Sequence, residues 1–107
     1  MSVFGSRLKE ARLRAGLSQE QLGIEAGLDP MSASARMNRY ELGRRAPDFP
    51  LAIKLAGVLR VPVGYLYSAD NEQARLLVMF DVLPKAKKAK VLEVVEGLSS
   101  VAKATKV

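Results

Sequence analysis

Apolar residues recur at intervals of three and four along most of the chain, which predicts α-helices. The first predicted helix covers 3–15 and has an apolar face opposite a charged one. A second helix, over about 19–26, begins at Ser18, whose hydroxyl can cap it while Gln21 completes a capping box. Gly27 supplies the left-handed residue that ends this helix and starts a turn.

The start of the third helix is open to two interpretations. The Asp-Pro pair at 29–30 offers a carboxylate cap and then a proline at the first helical position, which favours a helix over 30–42. The alternative is a wider loop through 30–33, with Ser32 or Ser34 as the cap. We favour the longer helix, because it extends the apolar stripe along the same face. Two short helices joined by a glycine turn form a helix-turn-helix, and they need neighbours to bury their faces.

Two more helices complete one core. Asp48 can cap a fourth helix over about 49–60, and Pro62 breaks that helix and opens a short fifth one. The sequence therefore predicts an all-α fold with a five-helix domain over 1–68.

Residues 69–107 predict two further helices, which together form a helical hairpin. The first, capped by Asp70, contains the stretch LLVMFDVL at 76–83, and a helix that is apolar almost all round must be covered on more than one side. The second covers 85–102. Apolar helices beyond a complete core predict a homodimer interface, although the hairpin could instead pack only on its own domain. The expected interface residues are Leu76, Leu77, Met79, Phe80, Leu83, Leu92 and Val95.

The composition of the chain narrows the kinds of partner and of chemistry that we expect. The formal net charge is +6 and the pI is near 9.9, which suits a polyanionic partner. The absence of cysteine and histidine removes thiolate nucleophiles, cysteine-based zinc sites, and the commonest general base and metal ligand. We therefore expect no enzymatic activity, no cofactor and no metal. No apolar run is long enough for a signal or a membrane span, so we expect a soluble intracellular protein that does not bind membranes.

The stretch Leu8–Tyr67 resembles the Cro/repressor (Xre-like) helix-turn-helix family of bacterial and phage transcriptional regulators. The segments that carry the resemblance are RLKEARLRAGLSQEQLG, the following AG, RYELGRRAPD and LAIKLAGVLRVPVGYLY. The resemblance implies a lambda-repressor-like bundle of five helices, with 69–107 as a C-terminal extension. It also implies a bacterial or phage-encoded cytoplasmic protein, found on the nucleoid when bound to DNA. The chain departs from the family by about four extra residues before Glu41.

The resemblance also assigns site residues. It implies a structural ion pair between Arg12 and Glu41, and contacts to DNA phosphates from Gln19, Arg44 and Arg45. Counting back from the glutamate or forward from the helix start gives different base-reading sets, because of the extra residues. Arginine can bind guanine through two hydrogen bonds and asparagine can bind adenine in the same way. The candidate base contacts are Ser32, Ser34, Ala35, Arg36, Asn38 and Arg39.

The leading hypothesis is a sequence-specific regulator of transcription, acting as a repressor, that binds double-stranded DNA as a homodimer on an inverted-repeat operator. An antitoxin-like module is the alternative: its C-terminal apolar helix would bind a partner protein and DNA binding would serve autoregulation. Sequence-blind binding to nucleic acid or to an anionic membrane through the lysine clusters is a third possibility. An enzyme has little support, because no paired carboxylates stand at a plausible site.

Overall fold

The computed structural model describes residues 2–100, and within this range all regular secondary structure is helical, as the sequence predicts. Five helices precede residue 68 and two follow it. In chain order the helices are α1 (Val3–Arg14), α2 (Gln19–Glu25), α3 (Ala33–Leu42), α4 (Phe49–Leu59), α5 (Val63–Leu66), α6 (Asn71–Asp81) and α7 (Lys85–Leu98).

Side-chain caps fix the starts of four helices, α1, α2, α4 and α6. The Ser18 hydroxyl accepts the N–H of Gln21 at 3.0 Å, and the Gln21 side-chain oxygen accepts the N–H of Ser18 at 2.8 Å. This reciprocal pair is the predicted capping box of α2. Asp48 and Asp70 each accept the backbone N–H three residues on, at 3.0 and 2.8 Å. The predicted starts of α2, α4 and α6 are confirmed.

The predicted helix over 30–42 is wrong at its start, because α3 begins only at Ala33. The carbonyl of Asp29 accepts the N–H of Ser32 at 3.0 Å, which closes a turn ahead of the helix. Pro30 occupies the second position of this turn, where its fixed φ fits as well as it would at a helix start. The chain therefore follows the alternative, the wider loop. Ser32 holds the cap position, although its side chain makes no capping hydrogen bond.

One core joins the first five helices. Each of them contributes one large side chain that is fully buried, and these are Leu8, Leu22, Met37, Leu55 and Leu66. From α6, Ala74 is buried in this core and Val78 packs against it. The apolar stripes of five short helices are thus buried against one another, which is the main source of their stability.

Arg7 fastens the beginning of α6 to α1. Its side chain is buried, and it donates to the carbonyl of Ser68 at 2.8 Å and to the side chain of Asn71 at 2.9 Å. Glu10 accepts hydrogen bonds from Tyr65 and from Arg7, and these two donors hold the pKa of Glu10 below its ordinary value against the opposing effect of burial. Burial and the bond to the carboxylate raise the pKa of Tyr65. This polar cluster sets where the chain leaves the five-helix core.

The last helix lies apart from the core. No residue of α7 is buried, and the helix spans Lys85–Leu98; its predicted end at 102 lies outside the described residues. Lys88 reaches back to α6, with its ammonium 5.6 Å from the centroid of the Phe80 ring. Within residues 2–100, the expectation that the stretch 76–83 is covered on more than one side is not met. Large apolar side chains stay exposed on both helices and just after α6, at Leu76, Met79, Val82, Leu92, Val94, Val95 and Leu98.

A close approach between α1 and the end of α3 gives a first prediction. A Cβ atom added to Gly5 would lie 2.4 Å from the carbonyl oxygen of Glu41 and 2.7 Å from that of Tyr40. Gly5→Ala should therefore lower the free energy of unfolding by about 1–3 kcal/mol, because backbone atoms must shift. Gly57→Ala is the matched control: the site is open, and alanine should stabilise α4 by up to about 1 kcal/mol. Urea unfolding followed by circular dichroism tests this, and equal stabilities for the two variants would contradict it.

Candidate nucleic-acid interface

Helix α3 has one buried side and one exposed side. Ala33, Met37 and Tyr40 point into the core, as the periodicity predicts. On the opposite side Ala35 and Arg39 are exposed to solvent. Because the side chain of Ala35 is small, a partner can closely approach this side of α3 beside the long side chain of Arg39.

Gly23 on α2 allows the first turns of α3 to pack closely against that helix. A Cβ atom on Gly23 would lie 2.9 Å from the Cβ of Ala33 and 3.1 Å from the Cγ of Met37. The two helices therefore cross at nearly the closest distance that their backbones allow. The sequence pattern gave no indication of this role for Gly23.

The carboxylate of Glu41 joins three elements under the interface. Arg12 donates to it from Nε at 2.5 Å and from Nη2 at 3.0 Å, so α1 and α3 are linked by a two-pronged ion pair. Glu41 is only 2% exposed, so both its oxygens depend on protein donors. The remaining guanidinium nitrogen of Arg12 donates to the carbonyl of Leu17 at 2.9 Å, which secures the loop before α2.

Gln19 extends this network to the surface. Its amide nitrogen lies 3.1 Å from a Glu41 carboxylate oxygen and 3.3 Å from the side-chain oxygen of Asn38. The first turn of α2 is thereby tied to the exposed side of α3. Ser34 shares that side of α3 with Asn38, because residues four apart lie on one face of a helix. The bond between Gln19 and Asn38 joins two side chains that sequence reasoning had treated separately.

Arg36 lies on the other flank of α3. It donates to the hydroxyl of Tyr40 at 2.8 Å, and its guanidinium carbon lies 5.9 Å from the centroid of the same ring. The structure therefore does not bring Arg36 together with Arg39 on the exposed side. Ser32 lies in the turn ahead of α3, where its hydroxyl is 3.4 Å from the carbonyl of Asp29.

The turn after α3 carries two cations. Gly43 adopts a φ of 76°, a left-handed conformation that favours glycine, and this ends the helix. Arg44 and Arg45 follow it and both are exposed. They stand at the opposite end of α3 from Ser32.

The predicted dimer residues fall into two groups. Leu77, Phe80 and Leu83 are half-buried within the chain. The others are about half exposed, and they are Leu76, Met79, Leu92 and Val95.

Comparison with known proteins identifies the family of this scaffold. A sequence model of the helix-turn-helix domain matches residues 3–64. The chain belongs to the Xre-like helix-turn-helix family. The transcriptional regulator RghRB of Bacillus subtilis is 39% identical over 70 residues, which span 64% of this chain and 48% of that protein. The prophage-derived regulator YonR of the same bacterium is 30% identical over 71 residues, which span 66% and 62%.

The match to a solved structure extends further along this helix-turn-helix chain. A crystal structure of the transcriptional regulator BswR is 44% identical, with a TM-score of 0.83, and the match covers 94% of this chain and 98% of that one. The aligned part of the two curated Bacillus relatives is about half to three-fifths of their length. The proteins of this family are transcriptional regulators and not enzymes.

Within residues 2–100, no helix is both long and apolar enough to cross a membrane. Within the same described residues, no cluster of acidic side chains is arranged to hold a metal ion.

The ion pair beneath the interface gives the second prediction. Arg12→Ala should lower the free energy of unfolding by roughly 3–5 kcal/mol, because it leaves the buried Glu41 carboxylate without its cation. Arg14→Ala is the control, since Arg14 is an exposed arginine on the same helix, and surface substitutions change stability by about 0.5 kcal/mol or less. Thermal and urea unfolding measure both. An Arg12→Ala protein as stable as Arg14→Ala would show that the pair contributes nothing.

Proposed function

We propose that this chain is a sequence-specific regulator of transcription, a repressor, which binds double-stranded DNA and reads the major groove with α3. The observation that carries this proposal is the arrangement of the exposed side of α3. Ala35 and Arg39 are exposed on this side, and beside them Asn38 accepts a hydrogen bond from Gln19. The buried ion pair between Arg12 and Glu41 lies beneath this face. An α-helix fits the major groove, and these side-chain types match the groups that bases present there.

The side chains on this face differ in the base that each can contact. Arg39 has a free guanidinium that can bind the N7 and O6 atoms of guanine together. Asn38 can pair with adenine, Ser34 can bond either kind of base edge, and the methyl of Ala35 can contact a thymine methyl. Ser32, in the turn at the start of α3, is placed to contact the edge of the same site.

Contacts to the sugar-phosphate backbone hold the helix in register. Gln19 lies in the first turn of α2, where free backbone N–H groups and the helix dipole favour an anion. Arg44 and Arg45 supply cations at the other end of α3. Such contacts add affinity and salt dependence without sequence information.

We further propose that the protein acts as a homodimer, with 1–68 as the DNA-binding domain and 69–107 as the dimerisation element. The exposed apolar side chains of α6 and α7 support this, because a helix of 14 residues with no buried side chain has little stability of its own. A symmetric dimer places two copies of α3 about 34 Å apart, which implies an inverted repeat as the operator.

The same exposed surface favours one other function, an antitoxin-like module that binds a different protein through α6 and α7. The mass of the purified chain in sedimentation equilibrium separates the two. A stable dimer at micromolar concentration supports self-association. A chain that stays monomeric both alone and in the presence of DNA supports a different protein partner.

Selection of bound duplexes from a random DNA pool, at physiological salt and with purified protein, tests the proposed function. We expect recovery of an inverted repeat whose half-site centres lie about one helical turn apart. A pool that shows no enrichment, with binding that disappears as salt is raised, would leave only sequence-blind electrostatic binding.

The roles of two arginines give the third prediction. Arg39→Ala should relax discrimination at one base pair, which is worth about 1–3 kcal/mol, and leave the other positions unchanged. Arg44→Ala should instead weaken binding to all sequences evenly and reduce the salt slope by about one. Repeating the selection and the salt titration with each variant measures both effects. Equal loss of affinity by both variants on every duplex would contradict these roles.

A further inference from the structure

A cavity opens on the flank of α3 that faces away from Gln19. It has a volume of about 430 Å³ and lies between the turn after α2, one side of α3 and the beginning of α4. Three cationic side chains line it: Arg36 from α3, Arg45 from the following loop and Lys54 from α4. They come from separate parts of the sequence, so only the fold brings them together.

The described part of the protein, residues 2–100, leaves this cavity with an excess of positive charge. Asp48 is the one carboxylate in the lining, and it already accepts the N–H of Leu51 at 3.0 Å as the cap of α4. Within residues 2–100, neither Arg36 nor Arg45 nor Lys54 forms an ion pair. Three cations and one carboxylate that already caps a helix leave the cavity with a net positive charge, which attracts anions.

Tyr40 orients the central cation. Its hydroxyl accepts one N–H of Arg36 at 2.8 Å, and its ring lies beside the guanidinium. A guanidinium has five N–H donors in a planar fork, so four remain available. A fork held in place loses less side-chain entropy when it binds a tetrahedral oxyanion. Tyr40 is 2% exposed, so this orientation is anchored in the core.

We propose that this cavity is a phosphate-binding cleft, with Arg36, Arg45 and Lys54 as its ligands, and that its natural occupant is a phosphate of the DNA backbone. The inference rests on the proposed DNA binding for the source of the phosphate. It adds Lys54 to the interface and removes Arg36 from the base-reading set. Gln19 and the cleft then flank α3 on its two sides, as the two backbones flank the major groove.

Salt titration on a short duplex of fixed arbitrary sequence provides the first test. Arg36→Met and Lys54→Met should each reduce the slope of log K against log salt by about one, so that a fourfold rise in salt costs each variant about 3.5-fold less affinity than it costs wild type. Arg36→Lys should keep the wild-type slope, because the charge remains. Lys90→Met on α7 is the control with the same loss of charge, and its slope should not change.

Selection from a random pool separates phosphate binding from base reading. Arg36→Met should recover the same sequence as wild type. If Arg36→Met loses preference at one base pair and keeps its salt slope, Arg36 reads a base and the proposal is overturned. Unchanged slopes in both Arg36→Met and Lys54→Met overturn it as well.

Titration with inorganic phosphate, followed by amide chemical shifts, covers the case in which the protein binds no DNA. Saturable shifts at Gly27 and Leu28 in wild type, reduced in Lys54→Met, would show that the cleft takes phosphate from a free source, and only the DNA part would fail. An absence of shifts there, together with an absence of DNA binding, would overturn the whole proposal.

Discussion

The buried carboxylate of Glu41 is the constraint on which the rest of the surface proposed to face DNA depends. A carboxylate that is 2% exposed must have donors, and here they come from Arg12 on α1 and Gln19 on α2. Satisfying this one group therefore fixes three helices relative to one another. The desolvation cost of the pair is large, and its net contribution to stability is smaller than the cost of breaking it. Its value lies in geometry, because side chains that are already held in place lose less entropy on binding.

From the buried pair, further contacts lead to the exposed side of α3 and to the start of α6. Through Gln19 they reach Asn38 on the exposed side of α3. Along α1 they reach Arg7, whose hydrogen bonds to Ser68 and Asn71 fix the start of α6. One helix therefore connects the surface proposed to read DNA with the segment proposed to dimerise. The relative placement of two half-sites would then depend on α1 as much as on the C-terminal helices.

Local signals made much of the fold predictable. A cap acts within three residues, so the starts of α2, α4 and α6 could be placed from the sequence. The beginning of α3 could not, because an Asp-Pro pair fits the first residues of a helix and the first residues of a turn equally well. The tight crossing at Gly23 accompanies the shorter helix, since it brings Ala33 against α2. Such a contact between distant residues leaves no periodic pattern in the sequence.

The candidate site, like the fold, could be predicted from the sequence only in part. The pairing of Arg12 with Glu41 was available only through a family resemblance, since nothing in the spacing of two residues 29 apart indicates it. The separation of Arg36 from Arg39 follows from the hydroxyl of Tyr40, four residues on, which the arginine can reach on only one flank of the helix. The cluster formed by Arg36, Arg45 and Lys54 depends on the packing of α4 against the rest. Sequence reasoning located the helix that is proposed to read DNA, but it missed which side each of its cations takes.

The ion pair should hold α3 in place more than it holds the bundle as a whole. Amide hydrogen exchange of the free protein, compared between wild type and Arg12→Lys, measures this difference. The lysine keeps the charge and loses the two-pronged hydrogen bonds. We expect the amides of α3 to lose protection by a larger factor than those of α4. Equal losses in both helices would show instead that the pair adds only global stability.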